Sequence, residues 1–150
     1  MKKVFCVLSA IVLISLAGCA SQGSIDDGEA LAKDLAEKIT YQDQLSLMDE
    51  AMAKQLYGIE DAEAIWVYAG SGATAEEAAV IQMQDENSAK DALQKAEERV
   101  DSQKTAFESY VPEEIPKLEK AVVSQYGEYV VLSVSDTPEE AKKIIEQHLQ

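Results

Sequence analysis

Ile65-Trp66-Val67-Tyr68-Ala69, then Gly70-Ser71-Gly72-Ala73, then Ala78-Ala79-Val80-Ile81-Gln82-Met83 lead directly into the long polar and apolar stretch Asp85–Tyr110. The first run is rich in β-branched and aromatic residues, which suit a pleated surface. The glycines mark a turn, and the second run reads as the returning strand of a hairpin. A competing reading opens a short helix at Thr74-Ala75-Glu76-Glu77, whose spacing fits a capping box. Along Asp85–Tyr110, Ala89, Ala92/Leu93, Ala96, Val100, Gln103, Phe107 and Tyr110 form one stripe at helical spacing, with charge on the other faces. A hairpin followed by a long amphipathic helix is therefore the centre of the fold.

Downstream, Pro112 and Pro116 end that helix and predict an extended linker from Val111 to Pro116. Leu118–Val123 and Tyr129–Val134 read as a second hairpin around Ser124-Gln125-Tyr126-Gly127-Glu128. Thr137-Pro138-Glu139-Glu140 opens a last helix, with Thr as N-cap, Pro in the first turn and Glu three residues on. Ala141, Ile144, Ile145 and Leu149 are its inward stripe. Upstream, Glu29–Ile39 reads as a helix, with Asp26 or Asp27 near its start. Tyr41–Met48 is ambiguous, Leu45 and Leu47 hinting at a short extended piece. Asp49–Leu56 reads as a short helix, stopped at Tyr57-Gly58 by a left-handed glycine. The predicted class is α+β: two β-hairpins form an antiparallel sheet packed against a long helix and a C-terminal helix, with a helical N-terminal segment. Helices on one face of the sheet would make two layers.

The amino terminus has a different character. Met1-Lys2-Lys3 is a basic start, and Val4–Leu16 is apolar but for Ser9 and Ser15. That length suits a signal peptide and is short of the roughly 20 residues of a membrane-spanning helix. Leu16-Ala17-Gly18-Cys19 then matches a bacterial lipobox: small residues let an extended chain enter a protease cleft, and Cys supplies the thiolate for a thioether. Residues 1–18 are read as a lipoprotein signal peptide and Cys19 as the lipidation site. Residues 19–28 are read as a flexible tether, reaching about 30 Å at ~3.3 Å per residue. Residues 29–150 are read as one α+β domain. The predicted location is extracytoplasmic, with the membrane as a partner through lipid on Cys19.

Removing residues 1–18 takes two lysines and leaves 11 basic residues against 28 acidic ones, a net charge of −17. Nucleic acid and anionic lipid both need Lys/Arg clusters, so neither is an expected partner. The shortened chain keeps one cysteine, Cys19, and lipidation consumes its thiol. An internal disulfide, a Cys-ligated metal and a thiol nucleophile are thereby excluded.

In order along the chain, Tyr57-Gly58-Ile59, Val67–Glu77, Arg99–Tyr110, Pro112-Glu113-Glu114 and Tyr126-Gly127-Glu128-Tyr129-Val130 resemble a bacterial lipoprotein family named domain of unknown function 4358. The resemblance covers roughly residues 29–150. It implies a lipid-anchored extracytoplasmic protein. It implies no activity, and it carries no catalytic or binding residues onto this chain.

The chemistry-bearing residues are few. His148 is the one histidine and falls in the last helical turn, where a solvated, dipole-compatible role is expected. Cofactors and metals are not expected, since the usual zinc ligand sets and Cys-His triads are missing. Glu97, Glu98 and Asp101, like Glu139, Glu140 and Glu146, fall on polar helix faces. A glycosidase pair would need one carboxyl buried among apolar groups. Asp26-Asp27 and Glu60-Asp61 with Glu63 lack the spacing of a calcium loop. Gly70-Ser71-Gly72 reads as a flexible hairpin loop, since Glu76 and Glu77 just beyond it would repel phosphate. Trp66, Tyr68, Tyr126 and Tyr129 form a possible binding surface. Alternation places Trp66 and Tyr68 on the strand face opposite Ile65, Val67 and Ala69. If that face is open, it suits a sugar ring or a protein; otherwise these rings are core or lie under the N-terminal helices. The sequence thus predicts a non-enzymatic binding or interaction module at the cell envelope, its partner an envelope protein or glycan. The alternatives are a carboxylate-dependent enzyme acting on cell-wall glycan and a structural subunit of an envelope complex.

Overall fold

Ala64–Ala69 and Glu77–Gln82 do build a hairpin, β2 and β3 in the computed structural model, which describes residues 23–150. The signal segment 1–18 and Cys19 lie outside the described residues. Ser46–Leu47 is β1, and Val122–Tyr126 and Tyr129–Val134 are β4 and β5. All pairings are antiparallel, in the order β1-β2-β3-β5-β4. The two hairpins join along β3 and β5, with Val80 opposite both Trp66 and Val131.

Helices α1 (Gly28–Lys38), α2 (Glu50–Tyr57), α3 (Glu86–Tyr110) and α5 (Pro138–Gln147) lie where the periodicity places them, and α4 (Ile115–Glu119) is additional. Their ends follow from capping chemistry. The Asp27 carboxylate accepts from Ala30 N at 3.0 Å and opens α1. Asp49 accepts from Ala51 N and Met52 N and opens α2, which closes at Gly58 with φ 65°. Asp85 and Ser88 cap α3 reciprocally. Among the described residues no helix is long and apolar enough to cross a membrane.

The helices do not share one face. Ile65, Val67, Ala79, Ile81, Val130 and Leu132 pack against Ala92, Ala96, Val100 and Phe107 of α3 and Tyr57 of α2. Ala78, Val80, Tyr129 and Val131 pack against Leu31 and Leu35 of α1 and Ile144 and Ile145 of α5. The sheet is thus the middle of three layers, not one of two. The unbroken apolar runs Ala78–Ile81 and Val130–Leu132 are the reason, since strands covered on both sides lose polar alternation.

Three further expectations are corrected. Val111–Pro116 is not an extended linker: Pro112–Glu114 is a 3₁₀ turn running into α4. Each proline sits in the first turn of its helix, where its fixed φ fits and its missing N–H is no loss. The strand expected from Leu118 consequently starts at Val122, and Leu118 is buried from α4. Before residue 29, some side chains and amides already contact the end of the chain. Ile25 is buried and bridges Leu149, Gln150 N donates to Ser24 O at 3.0 Å, and Asp26 N donates to His148 O at 3.2 Å. Finally, Thr137 is the N-cap of α5, but its hydroxyl donates to Glu140 Oε2 at 3.0 Å rather than accepting a backbone amide.

Candidate functional site

Ala75, Glu76 and Glu77 enter β3 buried, although two of them are ionisable. A buried carboxylate needs donors, and each glutamate has its own set. Glu77 is reached from α3 by Arg99, whose Nη2 donates to Oε2 at 2.6 Å and whose Nε donates to Oε1 at 3.4 Å. Gln103, one turn further along α3, donates from Nε2 to Oε2 at 3.4 Å. The Tyr57 hydroxyl of α2 donates to Oε1. Burial and the Glu77 charge push the Tyr57 phenol well above its usual titration range. Burial alone would weaken the Arg99 cation, but its bond to Glu77 outweighs this and raises its pKa.

Glu76 accepts from the backbone amides of Gln42 and Asp43, each at 2.9 Å, and from Lys117 Nζ of α4 at 3.1 Å. Lys117 Nζ also donates to Glu114 Oε1 at 3.1 Å, and Glu114 Oε2 accepts from Ala75 N at 2.9 Å. Burial would raise the Glu76 pKa, yet the Asp43 and Gln42 amides and the Lys117 charge hold it below its ordinary value. Burial likewise opposes the Lys117 ammonium, and Glu114 and Glu76 together raise its pKa in spite of this.

Above this floor lies a cleft of about 380 Å³ between α2, α3 and the β2–β3 loop. Glu76, Glu77, Arg99 and Gln103 are among its lining residues, and Met48, Leu56, Ala106 and Phe107 supply apolar wall. A second depression of about 280 Å³ adjoins it along α3, sharing Leu56, Arg99 and Ser102 and reaching Lys95 and Glu98. The Gln103 side-chain oxygen is buried with no hydrogen-bond partner among the described residues. The Gly70-Ser71-Gly72 loop at the cleft is anchored, in contrast to the flexible loop expected. Asp43 Oδ2 accepts from Ser71 N and Ser71 Oγ, both at 2.7 Å, so a carboxylate already occupies the loop's donors.

Residues 37–135 match the family described as Domain of unknown function (DUF4358). The chain belongs to this family. No curated protein and no solved structure matches the chain. The DUF4358 region runs from the end of α1 through β5. It therefore contains the whole cleft floor, from Tyr57 to Lys117, and leaves out α5 and nearly all of α1.

The four aromatics singled out in the sequence lie elsewhere in this DUF4358 chain. Trp66, Tyr68 and Tyr126 are half-buried and Tyr129 is buried, all on the sheet face packed by α1 and α5. One N-terminal helix, α1, and the C-terminal helix α5 share that face with the rings. His148 is half-buried rather than solvated: its Nε2 lies 2.9 Å from Asp34 Oδ2, which also takes Lys38 Nζ at 2.6 Å. Glu97, Glu98, Asp101, Glu139, Glu140 and Glu146 are exposed, as their helical positions predict. Among the described residues no group of three or more His, Cys, Asp or Glu side chains is placed to hold a metal ion. Sequence reasoning passed over Glu76, Glu77, Arg99, Glu114 and Lys117. One signal was available: Gln103 is polar and yet falls on the inward stripe of α3, and a buried amide at such a position needs polar company.

Proposed function

We propose that the protein is a non-enzymatic binding module, held at the outer face of the bacterial cell membrane by lipid on Cys19, and that the α2–α3 cleft is its binding site for an envelope protein or glycan. The anchor reading rests on the basic, apolar and Leu16-Ala17-Gly18-Cys19 sequence of the amino terminus. The binding reading rests on one observation above others, an apolar-walled cleft with a fixed polar floor and a volume in the range of ligand sites. Glu76 and Glu77 are the obvious carboxylates for the alternative glycan-cleaving enzyme. Their donor sets argue for binding instead. Glu77 is engaged by three side chains, and Glu76 is kept ionised by two amides and a buried ammonium. A general acid must hold a proton near neutral pH.

The test is photo-crosslinking in cells from a benzophenone residue at Ser102, which is exposed and shared by both depressions. A benzophenone at Glu139, exposed on α5, is the control. An envelope component captured from position 102 and not from 139 is the expected result. No site-specific adduct, together with hydrolysis of purified wall glycan that Glu77→Gln abolishes, would replace this reading by the enzymatic one. Cys19→Ser should release the protein from membranes, and continued retention would refute the anchor.

A further inference from the structure

We propose that the groove between α2 and α3 docks a basic amphipathic helical segment of a partner protein; this rests on the binding-module reading and specifies its ligand. Some of the apolar surface is out of place. Four large apolar side chains are exposed among the described residues: Leu47, Met52, Leu56 and Tyr110. One of them lines the groove, and two lie one helical turn from its lining residues. Leu56 lines both depressions, and Met52 lies one turn before it on the same side of α2. Tyr110 is 75% exposed and lies one turn beyond Ala106, which lines the cleft. Exposed apolar side chains gathered about a concavity mark an interaction surface, whereas isolated ones do not. Met48 and Met52 add flexible thioethers, which adapt to varied apolar partners.

Length separates a peptide from a small molecule. The groove follows α3 from Lys95 to Phe107, and twelve residues at ~1.5 Å make about 18 Å. That accommodates roughly three turns of a helix laid along it, with anchors at i, i+3, i+4 and i+7.

Charge selects the partner's sign. Glu50 and Glu98 lie on α2 and α3, Asp49 caps α2, and Asp43 holds Ser71 of the β2–β3 loop. Its cations are already matched within the chain: Lys54 pairs with Glu50 at 2.9 Å, Lys95 with Glu98 at 3.0 Å and Arg99 with Glu77 at 2.6 Å. Asp43 and Asp49 accept from Ser71 and from backbone amides, with no ion pair to either among the described residues. The whole chain carries −15, so a second copy is repelled and so is an anionic lipid surface. A cationic partner is the one that this field draws in.

The test uses the full lipidated chain in phosphatidylcholine nanodiscs, whose neutral lipid does not itself attract cations. A fluorescent 14-residue Leu/Lys peptide with leucines at helical spacing is the probe, read by anisotropy. Two controls are the same residues scrambled and the same pattern with Glu for Lys. The patterned basic peptide is expected to bind, and the double variant Met52→Ser/Leu56→Ser to weaken it about tenfold. Both positions are exposed, so the fold should survive, and circular dichroism checks this. Equal binding of the scrambled peptide, equal binding of the Glu peptide, or no loss in the double variant would each overturn the proposal. If none of the peptides binds while the Ser102 adduct persists, the basic helix is refuted and the binding module stands. If the adduct is also missing, both fall.

Discussion

Arg99 of α3 and Glu77 of β3 meet at 2.6 Å beneath the cleft, joining the long helix to the central strand pair through one ion pair. Glu77 is almost wholly buried and the Arg99 side chain is 21% exposed. Such a pair is weak as a source of net stability, but breaking it is expensive, because the remaining charge stays in low dielectric.

Glu77→Ala is therefore expected to destabilise the fold by about 3 kcal/mol, since it strands both Arg99 and the Tyr57 hydroxyl. The double variant Glu77→Leu/Arg99→Met removes both charges and is expected to recover more than half of that loss. Urea denaturation of the three proteins checks it. A double variant no more stable than Glu77→Ala would show that the pair contributes more than mutual neutralisation.

The pair also shows where sequence reading stops. Strand and helix positions follow from local periods, so β2, β3, β5, α1, α3 and α5 were legible in Ile65–Ala69, Ala78–Met83 and the stripes of the helices. Burial of Glu77 depends on Arg99, 22 positions away, and burial of Glu76 on Lys117, 41 positions away. Nothing local to Ala75-Glu76-Glu77 separates a cleft floor from a helix cap. The prolines misled for a related reason. Pro112 and Pro116 are compatible with both an extended linker and a helix start, and Leu118 packing into the core settles the choice.

The aromatic face gives a second test. A Cβ at Gly28 would lie 2.7 Å from Trp66 Cζ3 and 2.8 Å from Tyr129 Cε1, two ring atoms with little freedom to yield. Gly28→Ala should therefore force α1 away from the sheet and destabilise by about 1–3 kcal/mol, the usual range for overpacking. Trp66 is the chain's one tryptophan, so its near-UV circular dichroism and emission report the shift directly. An unchanged spectrum and unchanged stability would mean that α1 does not cover these rings.

The amino-terminal edge of the domain is testable separately. Ile25 is 3% exposed and lies between α1 and the end of the chain, bridged to Leu149. Ile25→Ala is expected to destabilise by about 2–3 kcal/mol, as for a buried aliphatic side chain. Ile25→Ala within about 0.5 kcal/mol of wild type, by thermal or urea unfolding, would return residues 24–28 to the tether.

Lys117 and Glu76 set the response to pH. Glu76 titrates below its ordinary value of 4.5 in the folded chain, so it contributes stability that is fully present above about pH 4.5. That contribution disappears as pH falls through the depressed folded value. Lys117 is the mirror case: raised from 10.5, it contributes stability present below about pH 10.5 and lost as pH rises through its elevated value. Lys117→Met removes the cation shared by Glu76 and Glu114 while retaining most of the side chain's volume. Both carboxylates then remain buried with no counter-charge at 3.1 Å. The variant should lose stability at pH 7, and the Glu76 pKa should rise. Its urea midpoint should accordingly fall off at higher pH than the wild type's on acidification, and the alkaline loss assigned to Lys117 should vanish. Midpoints measured between pH 3 and pH 11 decide the matter: parallel profiles for the two proteins would show that the buried ammonium does not control Glu76.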